Sequence, residues 1–163
     1  MNPITLSMSL DQRSDIVKMS VTVQDAVDNW KKFIELKSKL LDKQDYQSIS
    51  GKNFIKKSGW RKLAQVFNIS DSIIEAKRTD REDKSYVWEF TVRATAPNGR
   101  STIGIGSCDS KERNFAHSEH DVKSTAHTRA KSRAISDMIG GGEVSAEEVS
   151  EFSNPVSQAK KIN

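Results

Sequence analysis

Fragments of three familiar chemistries occur in this chain, and none is complete. Cys108, His117, His120 and His127 are metal-ligand types. A structural zinc needs four ligands, usually in closely spaced pairs. His117 and His120 form one pair, but a single cysteine is left to complete the set, so no metal is expected and the histidines read as surface or capping residues. Nothing in the sequence brings a histidine to Cys108 as a base for nucleophilic attack. Gly104-Ile105-Gly106 has the start of a dinucleotide loop, but the third glycine of that fingerprint would fall at Asp109, and the preceding residues read as a strand. With no serine elbow, phosphate loop or buried carboxylate pair, the expectation is a non-enzyme without catalytic residues, metal or cofactor.

The cations are the better candidates. Between Lys52 and Lys62 lie Lys52, Lys56, Lys57, Arg61 and Lys62, with no acid among them. Lysines at a helix start are disfavoured by the helix dipole, so Lys56 and Lys57 there point to an anion. Phe54 and Trp60 are interleaved with these charges, as base-stacking rings would be, although Trp60 reads first as a core residue. Arg129 and Arg133, four apart, share a helix face flanked by Lys123 and Lys131. They serve either a ligand or only the helix surface. After Ile135 the sign reverses, with Asp137, Glu143, Glu147, Glu148 and Glu151 against Lys160 and Lys161. A basic body with an acidic tail suggests a polyanion partner, with which the tail can compete.

The elements that must position these residues are legible from period and punctuation. Residues 1–20 are polar and read as flexible. Thr22, with Asp25 three residues on, starts an amphipathic helix running from Val23 to about Leu41, with Val27, Trp30 and Ile34 on its apolar stripe. Tyr46 to Ile55 reads as a hairpin around Ser50-Gly51. A helix from about Ser58 to Phe67 carries Trp60, Leu63, Ala64 and Phe67 on one side and stops at Asn68. Ile73–Thr79 is a strand, followed by the charged turn Asp80–Asp83.

Tyr86–Thr95 alternates, with Tyr86, Trp88, Phe90, Val92 and Ala94 on one face. Asn98-Gly99 predicts a two-residue hairpin turn. That register sets Ala94 opposite Ile103 and Val92 opposite Ile105. It sets Arg93 across from Gly104 and Thr91 across from Gly106, leaving Arg93 uncrowded and able to reach a ligand. A last long helix from about Glu119 to Ile139 carries Val122, Ala126, Ala130, Ala134 and Met138 at every fourth position, and Gly140-Gly141-Gly142 end it. The alanines let it lie close to the sheet. Val144–Glu148 makes at most one further helical turn, and the rest of the acidic tail, to Asn163, reads as disordered.

The predicted fold is therefore α+β: a curved antiparallel sheet packed on a long C-terminal helix, with an extra N-terminal helix. Its parts are a flexible segment 1–20, an amphipathic helix 21–45, a core 46–142 and an acidic tail 143–163. The 163 residues, 29% charged and with a formal charge of +4, suit one domain with short extensions. No apolar run approaches the ~20 residues of a membrane helix, and one cysteine fits a reducing cytoplasm.

Placed in this order, the motifs resemble the superfamily of single-strand annealing proteins that includes the eukaryotic recombination-mediator ring, bacterial DdrA and phage Sak-type proteins. The resemblance covers about Ile49 to Gly142. It rests on Phe54-Ile55, Gly59-Trp60-Arg61, Leu63-Ala64 through Phe67, Val92-Arg93-Ala94, Gly104-Ile105-Gly106, and the run from Thr128 to Ile135 leading into Gly140. It implies rings or filaments whose basic groove holds single-stranded DNA with its bases displayed, and no nucleotide or catalytic residue. By the same resemblance Arg133 matches a helix cation that contacts DNA, Lys131 is its neighbour, and Arg61 falls where members carry Arg or Lys. The chain departs from the pattern at Ser136, near where some members have another Arg, and at Asp137; Lys52, Lys56, Lys57 and Arg93 are candidates to compensate.

The expectation is thus a self-assembling protein that binds single-stranded DNA and promotes annealing of complementary strands in recombination, repair or replication. One rival is a protective single-stranded DNA- or RNA-binding protein with no annealing activity. Another is a structural or regulatory interaction protein whose Trp30 helix mediates assembly.

Overall fold

The structure is a computed structural model and describes residues 19–112, 114–115, 117–143 and 145–149. Expected flexibility in residues 1–18 and disorder in 150–163 fall outside the described residues. The chain forms two compact units, one ending at Leu36 and the other beginning at Lys37. In the first unit, the Thr22 hydroxyl accepts the Asp25 amide at 3.1 Å and donates to the Asp25 carboxylate at 2.7 Å. This pair starts α1, Val23–Leu40. Val23, Val27, Trp30 and Ile34 are exposed along it, and the Trp30 and Phe33 rings lie 5.3 Å apart. No helix among the described residues is long and apolar enough to cross a membrane.

The second unit is α+β, as the pattern predicts. Its first hairpin pairs β1, Tyr46–Ile49, with β2, Lys52–Ile55. Ser50 and Gly51 both have positive φ, at 51° and 78°, which is what a mirror-image two-residue turn requires. Helix α2 spans Lys57–Val66 and buries Trp60, Leu63 and Ala64, while Phe67, expected on the same side, is exposed at the cap. Asn68 stops it with φ 50°.

The main sheet is β3 (Ser70–Asp80), β4 (Tyr86–Thr95) and β5 (Ser101–Asp109), antiparallel in that order. Helix α3, Ser118–Ile139, covers one face and ends at Gly140 with φ 75°. Phe90, Val92, Ala94 and Cys108 meet Val122, Ala126, Ala130, Ala134 and Met138 there, all buried. The period-two and period-four stripes seen in the sequence are the two sides of this core.

The β4–β5 register differs from the expected one by a single residue. Ala94 pairs with Thr102, Arg93 with Ile103, Val92 with Gly104 and Phe90 with Gly106. Pro97 explains the shift. Its fixed φ suits the second position of a four-residue turn, and the Gly99 amide accordingly donates to Ala96 O at 2.9 Å. Gly99 then takes φ 82°, giving a three-residue hairpin loop instead of a two-residue one.

Slipping by one residue exchanges the two faces of a strand. Gly104 and Gly106 therefore face α3. A Cβ at Gly104 would lie 2.2 Å from Ala130 O, and one at Gly106 2.3 Å from Ala130 N. The alanines and glycines together bring helix and sheet into backbone contact. Arg93 correspondingly stands on the outer face between Ser72 and Ile103, not beside a glycine.

Residues 143 and 145–149, assigned by sequence to the acidic tail, include α4, Ala146–Val149, and belong to this packed unit. Ser145 and Ala146 have no exposed surface.

Candidate nucleic-acid interface

The first turn of α2 and the middle of α3 bring cations together. Lys57, Trp60 and Arg61 from α2, with His127, Thr128, Lys131, Ser132 and Ile135 from α3, line a cavity of about 60 Å³. The four-residue spacing of Lys57 and Arg61, and of His127 and Lys131, sets each pair on one helix face. Thr128 and Ser132 line the same cavity. Trp60 Nε1 and His127 Nε2 are buried without a hydrogen-bond partner among the described residues.

Crowding of like charge marks the electrostatics. Burial first, then the Arg61 charge, hold the Lys57 ammonium below its usual range; Lys131 acts in the same direction and Glu147 opposes it. His127 is likewise pushed down, by burial and then by Lys131, against the pull of Asp71. Lys131 reaches Asp71 Oδ1 at 2.5 Å. Arg61 is exposed and has no salt bridge among the described residues. A ligand bearing negative charge would relieve this repulsion.

Other candidates from the sequence lie elsewhere. Lys56 is the cap residue of α2, in an open depression that Lys57 and Arg61 also line, together with Asp42, Asp45 and Glu147. Lys62 shares that depression but is engaged, 2.5 Å from Asp45 Oδ2 and 3.2 Å from Asp42 Oδ2. Burial alone would raise the Asp45 carboxyl, but hydrogen bonds from Lys62, Ser58 and the Asp42 amide hold it below its usual range. Lys52 is exposed on the small hairpin, opposite Ile49. Arg93 lies on the sheet face that α3 does not cover.

The two α3 arginines, alike in the sequence, differ in the fold. Arg129 is 2% exposed. Its guanidinium donates to Ser107 O at 2.6 Å, to both Glu112 carboxylate oxygens, at 3.2 and 2.9 Å, and to Glu147 O at 3.1 and 3.2 Å. That set matches the fork of donors a guanidinium offers, so Arg129 is a structural residue. Arg133 has half its side chain exposed. Its Nε donates to Glu148 Oε2 at 2.6 Å and its Nη1 to Ile105 O at 2.7 Å.

Sequence reasoning missed His127, Thr128 and Ser132 as members of this site, although their four-residue relation to Lys131 or to one another was a usable signal. It could not place Asp71, which arrives from another strand. No family model matches the chain, and no curated protein matches it in sequence.

Proposed function

We propose that this protein binds single-stranded DNA with little sequence preference and, as a self-associating assembly, promotes annealing of complementary strands. The observation that carries the reading is the convergence of Lys57, Arg61 and Lys131 from two helices on one cavity. Phosphates neutralise such a cluster and release the counterions that DNA carries, so affinity falls with salt. Lys56 extends the cluster along the first turn of α2. Annealing requires that two strands lose their mutual repulsion while their bases stay accessible. A cationic surface that holds backbone and lacks a deep base pocket serves that need. The annealing and assembly parts of the reading rest on the resemblance of the sequence motifs to those of single-strand annealing proteins.

The test is a titration of a labelled oligothymidylate against the wild type and the Lys57→Ala/Arg61→Ala/Lys131→Ala variant at several salt concentrations. Each single-strand phosphate contact contributes about 0.7 to the slope of log K against log salt, so the slope should shrink by about 2. An unchanged slope in a folded variant removes these residues from the interface. Mixing complementary oligonucleotides then separates annealing from simple binding: no acceleration leaves a non-annealing single-strand binder.

A further inference from the structure

We infer that the cavity between α2 and α3 is a socket for one terminal phosphomonoester, so that the protein recognises the phosphorylated end of a single strand. The inference rests on the proposed single-strand reading and names the part of the strand that this site takes. Of the residues lining the cavity, Trp60, Thr128, Ser132 and Ile135 are buried, Lys57, His127 and Lys131 are half-buried, and Arg61 is exposed. That gradient gives the cavity a closed floor and a mouth, with Arg61 at the mouth. Its volume of about 60 Å³, at roughly 10–15 Å³ for each water-sized atom, accommodates about five heavy atoms. A phosphate group, one phosphorus with its four oxygens, is of that size, whereas a nucleoside is far larger.

Charge and connectivity decide which phosphate it is. Lys57, Arg61 and Lys131 line the cavity, and no carboxylate among the described residues does. The open depression that shares Lys57 and Arg61 is also lined by Asp42, Asp45 and Glu147, and is the poorer place for an anion. Lys131 holds Asp71 and, with three N–H donors on its ammonium, has others to offer. An internal diester carries one negative charge, whereas a terminal monoester carries about −1.5 to −2 near neutral pH. Three cations around a partly desolvated space match the monoester better. Burial and the neighbouring Arg61 hold the Lys57 ammonium below its usual range, and a dianion beside it acts in the opposite direction. An internal phosphate also continues into sugar on both sides, which a closed-ended cavity of this volume does not admit. A terminal phosphate is tethered on one side only and leaves the rest of the strand at the mouth.

The experiment uses the full chain and internally labelled oligothymidylates of one length, bearing a 5′-phosphate, a 3′-phosphate or hydroxyls at both ends. At low salt a strand with a phosphorylated end should bind about tenfold more tightly than the hydroxyl-ended one, the size expected of charge-assisted hydrogen bonds. A hydroxyl-ended strand longer by two nucleotides adds comparable charge as internal diesters, and should stay within about twofold of the shorter one. A preference for either phosphorylated end supports the inference, and the two strands show which end is taken. In Lys57→Gln/Lys131→Gln the preference should shrink to about twofold or less. Inorganic phosphate, set against chloride at equal ionic strength, should erase the preference in wild type, so the test holds even if the variant unfolds. No end preference in wild type overturns the inference and leaves the binding proposal standing, as does one that survives the folded variant or saturating inorganic phosphate. Failure of every strand to bind at low salt overturns both.

Discussion

Replacing Gly106 with alanine adds one methyl group at the closest approach of sheet and helix. In the observed register that methyl would lie 2.3 Å from Ala130 N, 2.6 Å from Ala126 O and 2.8 Å from Arg129 Cβ. Two of these three atoms are helix backbone, which cannot rotate aside. Restoring ordinary contact at 3.4 Å or more lifts α3 by about 1 Å along this stretch. Overpacking a tight core costs about 1–3 kcal/mol, and an obstacle made of backbone belongs at the top of that range, about 3 kcal/mol. For a chain of this size that lowers Tm by roughly 6–12 °C. Urea unfolding followed by circular dichroism, with the m-value checked for constancy, measures it. Gly99→Ala is the comparison: its methyl meets nothing within 4 Å, leaving only the strain of φ 82°, of order 1 kcal/mol. A Gly106→Ala variant within about 0.5 kcal/mol of wild type would refute the reasoning. It would mean that Gly106 faces outward, as the two-residue turn at Asn98-Gly99 would place it.

Arg129→Met should destabilise by about 3 kcal/mol, the usual result of removing one partner of a buried ion pair, yet leave the salt slope of oligothymidylate binding unchanged below the unfolding transition. A smaller slope would show that Arg129 touches phosphate after all. His127 makes stability depend on pH. Its folded-state pKa is depressed below 6.5, so the unfolded chain takes up the proton first. Its contribution is then fully present above pH 6.5 and is lost as pH falls through the folded value. Urea midpoints at about pH 7.5 and about pH 5.5 should differ less in His127→Gln than in wild type. Oligothymidylate affinity should move the other way, strengthening as pH falls, because a bound phosphate favours the protonated ring; a pH-independent affinity would separate His127 from the ligand.

What the sequence made legible was set by local rules. Tyr86–Thr95 announced itself by alternation, α3 by a residue of its stripe in every turn, and Ser50-Gly51 and Asn68 by the backbone conformations those residues tolerate. The β4–β5 register was not legible from hydrophobic pairing, because two turn geometries compete at Pro97-Asn98-Gly99. Asn98-Gly99 favours one, Pro97 the other, and they differ by one residue that swaps every face. The cationic site was partly legible: Lys57, Arg61 and Lys131 are common to the expectation and the cavity. The division of labour between Arg129 and Arg133 was not. They occupy equivalent positions on one helix face, and what separates them is Glu112, Ser107 and Glu147, which only the folded chain brings near.

Those two arginines have a consequence for the margins of the sheet. β5 has a neighbouring strand on one side only, and on the other the carbonyls of Ser107 and Ile105 accept the Arg129 and Arg133 guanidiniums. A strand arriving at that margin would find acceptors already taken. The opposite margin, β3, is exposed along its length and guarded differently, by Asp71, Glu75, Lys77 and Arg78 and by an irregularity between Ile73 and Glu75. Such charges and bulges discourage edge-to-edge pairing. One border is closed by hydrogen bonds and the other by charge and shape, so the three-stranded sheet limits its own growth from both sides.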